Sequence, residues 1–232
     1  MKYSTLLMDA DNTIFDFPLC ERNALEATLT GSGLRFDQEV LRSFSEINDA
    51  LWKKFEKKEI IGESIRFRRF SELIMKCFEG MGNAEVLSER YINELSAQGC
   101  LINGAEKALE CLSEEYDIYV ITNGFAKVQR GRFSASPVIQ YIKKLYISDE
   151  LGVNKPDKRF FELVLQDIPE KNKDRILVVG DSVTSDMQGG KNAGLTTCLY
   201  DRTGDTPCPE ELCDHRIFEL TDIFRIDQGE IC

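Results

Sequence analysis

Apolar residues follow two different rhythms along this chain. From about Leu19 to Gln98 they recur at helical spacing: Leu25 and Leu29; Val40, Phe44, Ile47 and Leu51; Phe70, Leu73, Ile74 and Cys77; Leu87, Tyr91 and Leu95. No strand-like run interrupts them. Breaks at Gly31-Ser32-Gly33, Ile60-Ile61-Gly62-Glu63 and Gly80-Met81-Gly82-Asn83 divide the stretch, which predicts a bundle of about four helices. Past Gly99 short apolar runs alternate with helical patterns. Strands are expected at 118–121, 145–147, 176–179 and 196–199, with helices at 105–114, 158–166 and 184–193. Such alternation means a parallel sheet covered on both faces. The run from Thr5 to Met8 is a further buried strand, and inside a helical bundle it would have no partner. It is therefore assigned to the sheet. The predicted architecture is α/β, a Rossmann-like parallel sheet formed by residues 1–16 and 99–232, with residues 17–98 inserted as an all-α bundle.

Ligands in open α/β sheets bind beyond the carboxyl ends of the strands. The first strand ends in Asp9-Ala10-Asp11, two carboxylates one residue apart. They either project into one pocket or form a polar turn, and this stretch alone leaves both readings open. The strand at 118–121 runs into Thr122-Asn123-Gly124, a hydroxyl and an amide before a permissive glycine. The strand at 145–147 leads to Lys155-Pro156, and the one at 176–179 to Gly180-Asp181, with Asp186 five residues on. Acids converging on one sheet edge repel one another and call for a divalent cation. Oxygen donors suit Mg²⁺. At each site a bland alternative exists: a turn at Thr122, an exposed lysine at 155, a helix cap at Asp181 or Ser182.

Charge and cysteine usage narrow the function. The 232 residues carry a formal net charge of −11, which disfavours a surface built for a nucleic acid backbone. Between Trp52 and Phe70, seven basic residues face three acidic ones, a local net of +4, while the stretch from Asp201 to Cys232 carries −6. The lysines of the basic region read as a solvated helix face. Arg66, Arg68 and Arg69 remain open as anion ligands, and Trp52 and Phe55 as stacking or packing residues. Eight scattered cysteines without a CxxC pair, and the single His215, argue against structural zinc and His-based hydrolase triads. No run approaches a membrane span. Reduced thiols and a cytoplasmic location are expected.

Asp9-x-Asp11-x-Thr13, Thr122-Asn123-Gly124, Lys155-Pro156 and Gly180-Asp181-x4-Asp186 match, in order and context, the four motifs of the haloacid dehalogenase superfamily. The chain thus resembles phosphatases of that superfamily with a helical C1-type cap. Details such as Met8-Asp9-Ala10-Asp11, Ile121-Thr122-Asn123-Gly124-Phe125 and Asp186-Met187-Gln188-Gly189-Gly190 resemble its pyrimidine 5′-nucleotidase branch. The resemblance implies that Asp9 is the nucleophile, Asp11 the general acid and base, and Thr122, Asn123 and Lys155 the phosphate ligands. It also implies Mg²⁺ at Asp9, Asp11 (through its backbone carbonyl), Asp181 and Asp186. Members that cleave carbon–halogen bonds lack the second acid, so Asp11 points to phosphate chemistry. The expected partner is a small phosphate monoester, handled by a monomer or homodimer, with no nucleic acid polymer and no membrane. A sugar-phosphate phosphatase, a phosphomutase and a non-catalytic phosphate-binding protein are the competing expectations. One departure is Asn12, where many relatives have glycine. A left-handed backbone suits Asn as well.

Overall fold

Six strands form one parallel sheet: β1 (Thr5–Met8), β2 (Asp117–Thr122), β3 (Lys144–Ile147), β4 (Ile176–Gly180), β5 (Thr196–Tyr200) and β6 (His215–Ile217). A computed structural model describes residues 2–229. The order is β3-β2-β1-β4-β5-β6, so β1 lies centrally between β2 and β4. Met8 pairs with Val120 on one side and Val179 on the other, which brings three strand ends to nearly the same height. The order reverses direction between β1 and β4, and that switch point opens a crevice at the carboxyl edge. β6 was not anticipated, because three residues in an acidic tail carry too little periodicity to register.

The helices are α1 (Phe17–Thr30), α2 (Gln38–Glu56), α3 (Gly62–Cys77), α4 (Ala84–Ser96), α5 (Ala105–Ser113), α6 (Ala126–Ala135), α7 (Ser148–Leu151), α8 (Lys158–Asp167), α9 (Gln188–Ala193) and α10 (Ile223–Asp227). Side-chain caps set several starts. Asp37 accepts from the Val40 amide, Asn83 from Glu85 and Val86, and Asp157 from Arg159. The helix expected at 184–193 is instead a wide π turn, Val183–Met187, running into α9. No helix among the described residues is long and apolar enough to cross a membrane.

The chain divides into two compact units. One comprises residues 1–17, 100–126 and 136–232, and the other residues 18–99 and 127–135. In the α/β unit, Leu7, Tyr119, Ile121, Ile176 and Val178 pack with Phe160, Phe161 and Val164 of α8. Their alternate neighbours Leu6, Met8, Ile118, Val120, Leu177 and Val179 are buried as well. Both faces of the sheet are therefore covered.

The helical unit centres on Phe44, Phe70 and Tyr91, with ring centroids 5.1 to 5.5 Å apart. Arg69 is buried here, its guanidinium 4.4 Å from the Tyr91 ring centre and bonded to Asn48. Of the three arginines left open by the sequence, this one belongs to the interior of the bundle. Trp52 and Phe55 meet edge to face at 5.6 Å and are half-buried. Most of α6 also packs in this unit: Arg132 donates to the Gln98 carbonyl at 3.1 Å, and Gly131 lies so close to Ser96 that a Cβ there would meet its carbonyl at 2.6 Å. The seven described cysteines are free thiols, and Cys232 lies outside the described residues.

Candidate active site

The central strand of the sheet delivers the first carboxylate. The Asp9 amide still donates to Val179 at 2.8 Å, so the residue continues the ladder to β4 and its side chain stands at the strand end. The chain then leaves the sheet in a tight loop. Ile14 and Phe15 both donate to the Ala10 carbonyl, and Asn12 adopts φ 61°. Asn carries this left-handed conformation at low cost, which accounts for its place here. The Asn12 side chain adds something sequence reasoning missed: it hydrogen-bonds Asp181 from the neighbouring strand end.

Asp9, Asp181 and Asp186 each offer a carboxylate oxygen within 4.8 Å of the others. Asp11 lies one residue beyond Asp9, half-buried, and its carboxylate is not in that group. Lys155 is buried among the acids. Its Nζ donates to Asp9 Oδ1 at 2.5 Å, to Asp186 Oδ1 at 2.6 Å and to the Ile121 carbonyl at 2.8 Å. These three bonds use all the donors an ammonium has, so an incoming phosphoryl oxygen must share one of them.

The supporting residues explain why Lys155 sits there. Asn123 clamps its backbone from both sides: Oδ1 accepts from Lys155 N, and Nδ2 donates to Lys155 O, each at 2.9 Å. Asn154 donates to the same carbonyl, and Asn192 to that of Pro156. The Asn123 side chain is therefore committed to Lys155, while its backbone stays at the mouth of β2. Thr122 is buried and accepts from the Gly124 amide at 3.1 Å. Of the two candidate caps for the π turn, Ser182 is the one used, accepting from Ser185. The Ser182 amide donates in turn to Asp186 Oδ2 at 3.2 Å. Gly180 is required by the same packing, since a Cβ there would stand 2.3 Å from Asp186 Oδ2.

The electrostatics fit a cation. Burial pushes the Asp9 carboxyl well up, and Asp186, Asp181 and Asp11 add to the effect against the opposing pull of Lys155. Asp181 is raised to about 7, first by burial and then by Asp186, with Lys155 and Asn12 opposing. Burial disfavours the charged Lys155, but Asp186 and Asp9 outweigh it and hold the ammonium protonated. One ammonium thus faces three clustered carboxylates, with Asp11 nearby. Hard oxygen donors with unmet negative charge are what Mg²⁺ takes, and Asp9, Asp181 and Asp186 are the side chains able to hold it.

Comparison with known proteins agrees with this geometry. The model of the haloacid dehalogenase-like hydrolases matches residues 3–194. Pyrimidine 5′-nucleotidase PynA of Streptococcus pneumoniae is 37% identical over 201 residues, covering 86% of this chain and 84% of its own. Pyrimidine 5′-nucleotidase YjjG of Escherichia coli is 30% identical, covering 85% and 86%. The crystal structure of the HAD-hydrolase YfnB of Bacillus subtilis, bound to magnesium, superposes with a TM-score of 0.90 at 30% identity, covering 97% of this chain and 99% of that one. A parallel sheet with an acidic switch-point crevice, matched over most of its length, places the chain in the haloacid dehalogenase-like hydrolase family, among its phosphatases.

Proposed function

We propose that the protein is a Mg²⁺-dependent phosphomonoesterase acting on nucleoside 5′-monophosphates, with pyrimidine nucleotides preferred. The observation that carries this reading is the convergence of Asp9, Asp181 and Asp186 around Lys155 at the switch point of the sheet. The pyrimidine preference rests on the likeness to the two pyrimidine 5′-nucleotidases.

In this reading Asp9 is the nucleophile. Its carboxylate attacks phosphorus, the ester oxygen leaves, and an aspartyl-phosphate forms. Asp11 gives its proton to the departing nucleoside 5′-oxygen and then takes one from the water that attacks the aspartyl-phosphate. That second attack releases phosphate and restores both carboxyl groups. Thr122 Oγ, the Asn123 amide and Lys155 hold the transferring phosphoryl oxygens, with Lys155 giving up one carboxylate contact to do so. The Asn123 side chain and Asn154 fix Lys155 while this happens. Mg²⁺, held by Asp9, Asp181, Asp186 and the Asp11 backbone carbonyl, would neutralise negative charge on the phosphate and the acids. Lys155 opposes the effect of burial on Asp9, and a carboxylate ionised in that poorly solvated position is the more nucleophilic.

The test is phosphate release by the purified protein with Mg²⁺ from a panel of UMP, dTMP, CMP, AMP, GMP and sugar phosphates. The expected result is preferred turnover of the pyrimidine nucleotides. Preferred turnover of sugar phosphates would overturn the substrate assignment, and release from none of them would overturn the enzyme reading.

A further inference from the structure

A second cleft lies in the α/β unit, away from the acidic cluster. It occupies about 470 Å³ between the start of α5, the end of β5 and the segment after β6, and none of Asp9, Asp181, Asp186, Thr122 or Lys155 lines it. This volume is in the range of small-molecule sites. Its lining includes Asn103, Lys107, Arg202 and Tyr200, with the exposed Phe218 among them.

Two of these residues give the cleft its character. Tyr200 is 6% exposed, lines the cleft, and feels the opposite charges of Arg202 and Glu219 there. A tyrosine so placed offers a ligand an apolar ring and one polar group. Phe218 is 54% exposed, an unusual position for a ring in a chain whose other phenylalanines mostly pack inside. The charges around the cleft favour an anion. Lys107 and Arg202 supply two cations against one lining carboxylate, Glu219. That carboxylate bears on Tyr200, where Arg202 opposes it. Arg202 also pairs with Asp16 at 4.0 Å, a contact long enough to leave the guanidinium available at the cleft. Glu106, next to Lys107, is not among the residues lining the cleft.

We propose that this cleft is a second small-molecule site that takes a mononucleotide, with its phosphate between Lys107 and Arg202, its planar ring on Phe218 and a polar group of the ligand on the Tyr200 hydroxyl. The assignment follows from two cations, an exposed aromatic ring and a tyrosine lining one cleft of matching size. It does not depend on what the acidic crevice hydrolyses.

The test is calorimetric titration of UMP, AMP, uridine and orthophosphate into the full-length Asp9→Asn protein with Mg²⁺, which prevents turnover of the probe. At least one nucleotide is expected to bind at a site that weakens about tenfold in a Tyr200→Phe background. That site should weaken on the order of 100-fold in a Lys107→Gln/Arg202→Gln background. Tyr200→Phe removes one oxygen atom, and its melting temperature is measured alongside to confirm the fold. Binding that is untouched by these changes, or no binding of either nucleotide, overturns the proposal. Orthophosphate binding as tightly as the nucleotides overturns the nucleotide assignment. Nucleotide binding that vanishes in the cleft variants but is unchanged by Asp181→Asn supports the cleft even where the nucleotidase reading of the acidic crevice fails.

Discussion

Asp181→Asn should stabilise the cation-free protein while disabling it. The Asp181 carboxyl titrates near 7 when folded, against an ordinary 3.8. Burial and the neighbouring Asp186 disfavour its charge, so the folded state is penalised wherever the unfolded chain would be ionised. The sign follows from linkage. Below the unfolded value the group is protonated in both states and costs nothing. The penalty grows as pH rises from about 4 to about 7, and it is constant above that. At its full extent it amounts to roughly 4 kcal/mol. Asp181 keeps partial access to solvent, which screens the charge, so about half of that is expected, ~2 kcal/mol. For a chain of this size such a change corresponds to a melting temperature about 4–8 °C higher. The assay is scanning calorimetry in a chelator at pH 5, 6, 7 and 8, for wild type and variant. The variant's advantage should grow up to pH 7 and then level off. Added Mg²⁺ should stabilise wild type strongly and the variant little, because binding to the folded state alone raises its stability. A variant that melts below wild type in chelator at pH 8, or an advantage that does not change with pH, would refute the reasoning.

Other consequences follow from the same geometry. Asn123→Ala removes two bonds from the Lys155 backbone. It should lower stability by about 1–3 kcal/mol and reduce kcat more than it raises KM, as read from steady-state kinetics and denaturant unfolding. Gly180→Ala places a methyl against Asp186 Oδ2. It should weaken Mg²⁺ binding in calorimetry by at least about tenfold, with the α/β fold retained in circular dichroism. Cation affinity should fall as pH drops below 7, because Asp181 and the likewise raised Asp9 must be ionised to bind, and log Kd should change by at least about one per pH unit.

Much of this arrangement was readable from residue order, for identifiable reasons. The strands β1, β2 and β4 have apolar interiors and run into polar residues, so the sheet and the position of Asp9, Thr122 and Asp181 at strand ends follow from pattern. The insert between β1 and α5 was legible because its helical spacing holds over four segments. What stayed hidden depends on three-dimensional pairing. Nothing in the sequence ties Asn123 to Lys155, thirty-two positions away, or Asn12 to Asp181. Gly180 opens the fourth motif, but only the close approach of Asp186 gives its missing side chain a reason. Arg69 was left open as an anion ligand within a basic stretch, because helical phase alone does not say that three aromatic rings will lie around it. The assignment of α6 to the helical unit had no local signal, since Gly131 and Arg132 meet residues brought near only by the fold.

The central claim is that Asp9 attacks phosphorus. It is tested most directly by phosphate release from UMP with Mg²⁺ by Asp9→Asn protein whose fold and melting temperature have been checked. Asparagine fills the same space at the end of β1 without a nucleophilic carboxylate. The account predicts a fall in kcat of at least about 1,000-fold. Turnover within tenfold of wild type would contradict it.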